Sequence, residues 1–246
     1  MSTILVLKLL EGKDIFICIY FNFQPTCFGL SLRALVTLKD RPVGKMKSDE
    51  LIKIIEKANE PDEDTPPLIT FDNEEEDAAK DFFIPKEIYR MVDFIKDRVD
   101  TPYLYERPGT ETLFSSIQNT LNMTAFDEPF AEDIDVHTMI SILNIFLSTI
   151  EESIIPQKFQ QAFIESSHKI HICISLIATL PIINQNLIWY LLKFFHFVLK
   201  HSASNGASSV DIAKNYAEIF FRDDRANRSW DEKNRAAPPK FANNVN

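Results

Sequence analysis

The chain has 246 residues, 45% hydrophobic and 25% charged, enough for one full domain and part of another, and this composition excludes a wholly disordered or fibrous polymer. A formal net charge of -10 argues against nucleic acid or an anionic lipid surface as the principal ligand. Three scattered cysteines, Cys18, Cys27 and Cys173, make neither a disulfide framework nor a Cys-x-x-Cys pair, the pattern of a reducing, cytoplasmic compartment.

Residues 3–28 have the composition of strands. Ile4–Leu7 and Ile15–Phe23 are rich in β-branched and aromatic residues, and Glu11-Gly12-Lys13-Asp14 between them has hairpin-turn chemistry. Two or three strands cannot cover their own edges, so the chain reads as beginning partway through a β domain. Met1–Leu10 is interrupted by Lys8 and lacks a small-residue cleavage site after it, a poor signal peptide. Ser48–Asp81 holds thirteen acidic and three basic residues and thereby carries the whole net charge. With Pro61, Pro66 and Pro67 it marks residues 41–83 as an acidic, largely disordered linker with one short helix over Ser48–Lys57.

From Ile84 the apolar period changes to 3.6. Pro85 opens a helix with Ile88, Met91, Val92 and Ile95 on one face, and Leu113, Ile117 and Leu121 mark a second. Asp135 is placed to cap a third, whose stripe is Val136, Met139, Ile140, Leu143 and Leu147. Pro156–Ile164, Ile170–Ala178, Gln185–His201 and Ser209–Phe221 complete seven predicted helices. Gln185–His201, apolar nearly all round, is the expected central helix. Its run Leu187–Leu199 contains Lys193 and His196 and is too short to span a bilayer. Residues 226–246 are polar, with Pro238-Pro239, and are expected to be a disordered tail. His168, His171 and Cys173 lack a fourth ligand and read as helix surface, and there is no glycine-rich phosphate loop, so neither metal nor cofactor is expected.

The helical segment resembles the RhoGAP family at five places in chain order. These are Ile84-Pro85-Lys86-Glu87-Ile88, the loop Tyr103–Gly109, Ile142–Ser148, Leu180-Pro181 with Asn184, and Asn205 with Asp211-Ile212-Ala213. The resemblance implies an all-helical GTPase-activating fold over residues 84–225. It also places the family's arginine finger at Glu106, its supporting lysine at Asn144, a nearby arginine at Ser148 and an asparagine at Asp211. An arginine finger neutralises charge developing on the transferring phosphoryl group, worth about 10³–10⁵ in rate, and a carboxylate there would repel the same oxygens. The expectation is therefore a non-enzymatic domain. The alternative is an active Rho-family activator that uses Arg107, one residue along.

A narrower resemblance covers nearly the whole chain. The order of partial β segment, Cys27-Phe28-Gly29-Leu30, acidic linker, Ile-Pro-Lys-Glu-Ile and degenerate finger loop is similar to the C-terminal region of type II inositol polyphosphate 5-phosphatases. There an immunoglobulin-like ASH domain precedes an inactive RhoGAP-like one. The resemblance implies that residues 1–40 are the last ASH strands, while the 5-phosphatase motifs do not occur in this sequence. Its partners would be Rho- and Rab-class GTPases and endocytic adaptor peptides, with recruitment to endosomes and only indirect contact with membrane. Phe28 corresponds to the Rab-associated segment, or is a core aromatic at a strand end. Tyr89 corresponds to a peptide-binding aromatic, or is a boundary residue beside Ile88 and Val92. Leu68-Ile69-Thr70-Phe71-Asp72 fits a clathrin-box pattern, in which an extended peptide seats alternating apolar side chains in a groove; this makes clathrin and clathrin-coated membranes a further expectation. A third reading is that the N-terminal part does not fold stably and leaves a resistant core from Ile84.

Overall fold

The computed structural model describes residues 2–7, 15–20, 24–38, 41–58, 84–125 and 128–222. At the N-terminus β1 (Ser2–Leu7) and β2 (Ile15–Tyr20) pair antiparallel, Ser2 opposite Tyr20 and Leu7 opposite Ile15. The residue types suit a pleated ladder. A single hairpin defines no sandwich, and the remaining described elements are helical.

Besides a 3₁₀ turn at Glu111–Leu113, residues 84–222 form the seven expected helices and one extra helical turn. In order they are α3 (Lys86–Lys96), α4 (Phe114–Met123), α5 (Val136–Thr149), α6 (Gln157–Glu165), α7 (Ile170–Ile177), α8 (Ile182–Lys200), the one-turn α9 (Ser202–Asn205) and α10 (Ser209–Phe220). Helix α5 is the hub, packed on α3, α4 and α10. It starts where expected because the Asp135 carboxylate accepts the Thr138 N–H at 2.8 Å. It buries Met139, Ile142, Leu143 and Phe146.

Helix α8 buries Leu187, Leu191, Phe194 and Val198, as a central helix should, but it begins at Ile182, three residues before the expected Gln185. Pro181 pre-sets the entry at φ -54°. The polar residues that hid this first turn point inward and are satisfied: Asn184 Nδ2 donates to the Ile154 carbonyl (3.0 Å) and Gln185 Nε2 to that of Leu180 (2.7 Å).

The stretch before Ile84 differs from the expectation in two places. Within residues 1–40, Leu32–Leu38 forms a helix, α1, with Leu32, Ala34, Leu35 and Leu38 buried. Within residues 41–83, the segment 41–58 is folded. It holds a 3₁₀ turn at Val43–Lys45 and α2 (Ser48–Ala58), one residue longer than expected, and buries Val43, Leu51 and Ala58. Helix α1 packs on α8 and α2, and the 3₁₀ turn packs on α4. Residues 24–58 are thus an arm that shares the core of the helical domain. The physical reason is periodicity: in Leu32-Arg-Ala-Leu-Val-Thr-Leu38 the apolar residues recur at three and four, the helical spacing.

Hydrogen bonds from one buried lysine, an asparagine and the backbone lock the arm in place. Lys86, 2% exposed, donates to the carbonyls of Arg41 (2.7 Å) and Thr124 (3.3 Å). Asn122 Oδ1 accepts from the Cys27 N–H at 2.8 Å, and the Glu151 N–H donates to the Leu30 carbonyl at 3.2 Å. No helix among the described residues is long and apolar enough to cross a membrane.

Candidate functional site

The loop between α3 and α4 carries the residues matched to the finger, and α5 is the platform beneath it. Three bonds attach the two, and a fourth ties the loop to α9. The Gly109 N–H donates to Ser141 Oγ (3.2 Å), the Thr110 N–H to Thr138 Oγ1 (2.7 Å), and Leu104 O lies 3.3 Å from His137 Nδ1. On the far side the Leu104 N–H donates to the Asn205 carbonyl at 3.2 Å. Glycine is required at 109, since a Cβ there would stand 2.5 Å from the Thr138 Cα and 2.9 Å from Ser141 Oγ. Leu104 is buried, and Tyr105 packs edge-on against Tyr216 of α10 with ring centres 6.2 Å apart. Burial pushes the Tyr105 phenol up to about 12, so it is neutral and takes no part in acid–base chemistry near neutral pH.

The residues at the tip are presented to solvent. Glu106 and Arg107 are exposed, their N–H groups turned back to the Tyr103 carbonyl at 3.1 and 3.4 Å. The Arg107 guanidinium lies over the Tyr103 ring, 4.9 Å from its centre. Helix α5 contains no lysine or arginine. At its matched positions it offers Asn144, whose Oδ1 is buried without a partner among the described residues, and Ser148, whose hydroxyl donates to the Ile145 carbonyl at 2.8 Å. Asp211 is engaged at the start of α10: its carboxylate accepts the Ser208 N–H (3.0 Å), and Ser208 Oγ accepts the Asp211 N–H (3.2 Å). Hydrogen bonds from Ser208 hold its carboxyl below the usual range. This is a reciprocal capping box.

The other expected contact residues lie apart from the loop. Phe28, in the arm, is half-buried and edge-on to Phe146 at 5.0 Å. Tyr89 stacks on Tyr190 of α8 at 6.4 Å, a half-buried aromatic pair on the α3–α8 face. Leu68, Ile69, Phe71 and Asp72 lie outside the described residues. The anchoring roles of His137, Thr138, Ser141 and Asn205 were not legible in the sequence, although Asn205 was a matched position, because they depend on contacts across 28 to 101 positions. The Ser208-x-x-Asp211 spacing is a capping-box pattern that could have revealed the role of Asp211. Among the described residues no cluster of three or more acidic, histidine or cysteine side chains could hold a metal.

An all-helical domain with a glycine-docked loop on a central helix is the architecture of a GTPase-activating domain. Residues 85–225 match the RhoGAP domain family, and the chain belongs to it. It is similar to the mouse protein "Type II inositol 1,4,5-trisphosphate 5-phosphatase", 28% identical over 95% of this chain and 22% of that protein. It is also similar to human Rho GTPase-activating protein 24, 27% identical over 56% of this chain and 20% of that protein. The chain thus spans about a fifth of the length of these relatives. Two solved structures share the fold. They are human Rho GTPase activating protein 15 (TM-score 0.51, 19% identity, 56% of this chain and 69% of that chain) and the BH domain of GRAF, a GTPase regulator associated with focal adhesion kinase (TM-score 0.52, 16% identity, 56% and 79%).

Proposed function

We propose that the chain is a non-catalytic interaction module that binds Rho- and Rab-class small GTPases without hastening hydrolysis. The observation that carries this reading is the loop tip. A carboxylate, Glu106, follows the aromatic Tyr105 where the family has its arginine, and the platform helix supplies no cation to replace it. A transferring phosphoryl group needs positive charge at both places. Arg107 is the one nearby cation in the loop, and it rests on Tyr103.

The likeness to a type II 5-phosphatase supports a trafficking role, with residues 1–40 derived from an ASH domain. Phe28 would contribute to Rab binding and Tyr89, backed by Tyr190, to adaptor peptides. Leu68, Ile69, Phe71 and Asp72 would engage clathrin, so that several weak contacts on one chain hold it at endosomes and coated membranes by avidity.

The test is single-turnover GTP hydrolysis by Rac-class and Rab-class GTPases with the full chain, binding being followed in the same samples. Binding with unchanged hydrolysis is the expected result. Acceleration of roughly a hundredfold that vanishes on Arg107→Ala would establish the alternative, an active GTPase activator.

A further inference from the structure

The loop before α4 is held in an unfavourable conformation at one residue and pinned on both sides of it. Tyr103 has φ 60°, the left-handed region, and among the described residues it is the one non-glycine there. Upstream, Asp100 Oδ1 accepts from the Ser204 hydroxyl and lies 3.0 Å from His201 Nδ1. Downstream, the Leu104 N–H donates to Asn205 O. His201, Ser204 and Asn205 all belong to the corner where α8 turns into α9. That corner is itself fixed, since Asn205 Nδ2 donates to the Val198 carbonyl (3.0 Å) and Asn205 Oδ1 accepts the Ala207 N–H (2.8 Å).

We propose that this corner is a pH-sensitive clasp on the loop. Protonation of His201 converts its hydrogen bond with Asp100 into an ion pair, and the tightened clasp keeps Tyr103 left-handed with Arg107 parked on its ring. The Asp100–Ser204–His201 group is not a nucleophilic triad, because the serine bonds to the aspartate and not to the imidazole.

The charges around His201 favour this sign. The Asp100 carboxylate is in contact with it and is held below the usual range by the hydrogen bonds from Ser204 and His201, so it stays ionised. From α3, Lys96 Nζ lies 5.4 Å from the Phe197 ring centre, and that ring separates it from His201 at 4.8 Å. Lys96 opposes protonation, but through a longer path than the contact with Asp100. In the turn after α3, Asp97 adds a negative charge, and Arg98 is turned onto the Phe94 ring at 3.8 Å. The helix of His201 brings His196 and Lys200, and from α5 His137 faces the Leu104 carbonyl. Asp100 is exposed, so the ion pair is worth a two- to fivefold change in loop opening, roughly the range of surface pairs.

The experiment is hydrogen–deuterium exchange of the amides of Thr101 and residues 103–107 in the full chain from pH 5.5 to 8, corrected for intrinsic exchange. The opening constant should fall about two- to fivefold between the high and low ends of that pH range. His201→Gln should abolish that step. Ser204→Ala should raise opening at every pH yet keep the step, and His137→Gln should also keep it. A flat wild-type profile, an unchanged step in His201→Gln, or loss of the step in His137→Gln would overturn the clasp. Helical circular dichroism on each variant distinguishes a local effect from unfolding.

Discussion

Gly109 lies against Thr138 so closely that the approach leaves no room for a side chain: an added Cβ would be 2.5 Å from the Thr138 Cα, which is backbone and cannot swing aside. Gly109→Ala should therefore lift the loop and break the bonds from the Gly109 and Thr110 N–H groups to Ser141 and Thr138. A loss of about 1–3 kcal/mol is expected, the range for overpacking with broken hydrogen bonds. Urea unfolding checks it, and a midpoint matching wild type would show that the loop does not need this contact.

Glu87 should make stability depend on pH in an unusual direction. Burial pushes its carboxyl up from 4.5 to about 7, with Lys86 and Arg90 pulling it partly back, and its Oε2 has no partner among the described residues. A carboxyl raised in the folded state binds more protons there than in the unfolded chain between about 4.5 and 7. Its contribution is then most favourable at low pH and is lost as pH rises through the folded value. Wild type should gain about 2 kcal/mol from this group between pH 7.5 and 5. Glu87→Gln should flatten that part of the profile in paired denaturation curves. Parallel curves for the two proteins would remove Glu87 as the source.

Most of the helical domain was legible because amphipathic periodicity is a local property. Asp135 capped the helix that its stripe foretold, and Ile88, Met91, Val92 and Ile95 are all buried. The arm was harder to read. Leu32–Leu38 has helical spacing, but it follows a strand-like run, and although the helix over Ser48–Lys57 was foreseen, its packing on α1 was not. Lys86 and Glu87 are charged residues in the first turn of α3, and both are buried. They are buried because the arm covers them, which no local pattern announces. In the site, the identities of Glu106, Arg107, Asn144 and Ser148 were plain in the sequence. What holds their loop was not, because Asn205 and His201 come from a corner about a hundred positions away.

Asp211 has a structural role that can be tested apart from the catalytic one the proposed reading denies it. Its carboxylate closes the capping box with Ser208, so Asp211→Ala should leave the first turn of α10 open and raise exchange of its amides several-fold. Asp211→Asn restores the family's residue but gives no cation at Glu106, so GTP hydrolysis by a bound GTPase should stay at its intrinsic rate. Faster hydrolysis with Asp211→Asn alone would mean that the loop is less disabled than Glu106 implies.

The arm should behave as part of the helical domain even when its covalent link is cut. A protease site inserted between residues 66 and 68 would separate the chain on either side of its acidic stretch. The pieces should co-elute, because Lys86 bonds the Arg41 carbonyl, Asn122 bonds Cys27, and the apolar faces of α1 and α8 stay packed. Lys86→Met should weaken this union. It leaves two carbonyls without their ammonium and buries Glu87 without its neighbouring cation, a change of about 3–5 kcal/mol where one partner of a buried pair is removed. In Lys86→Met the arm should dissociate on gel filtration under conditions where the cleaved wild type holds together. Separation of the cleaved wild type would instead show an arm that rests on the domain without belonging to its core.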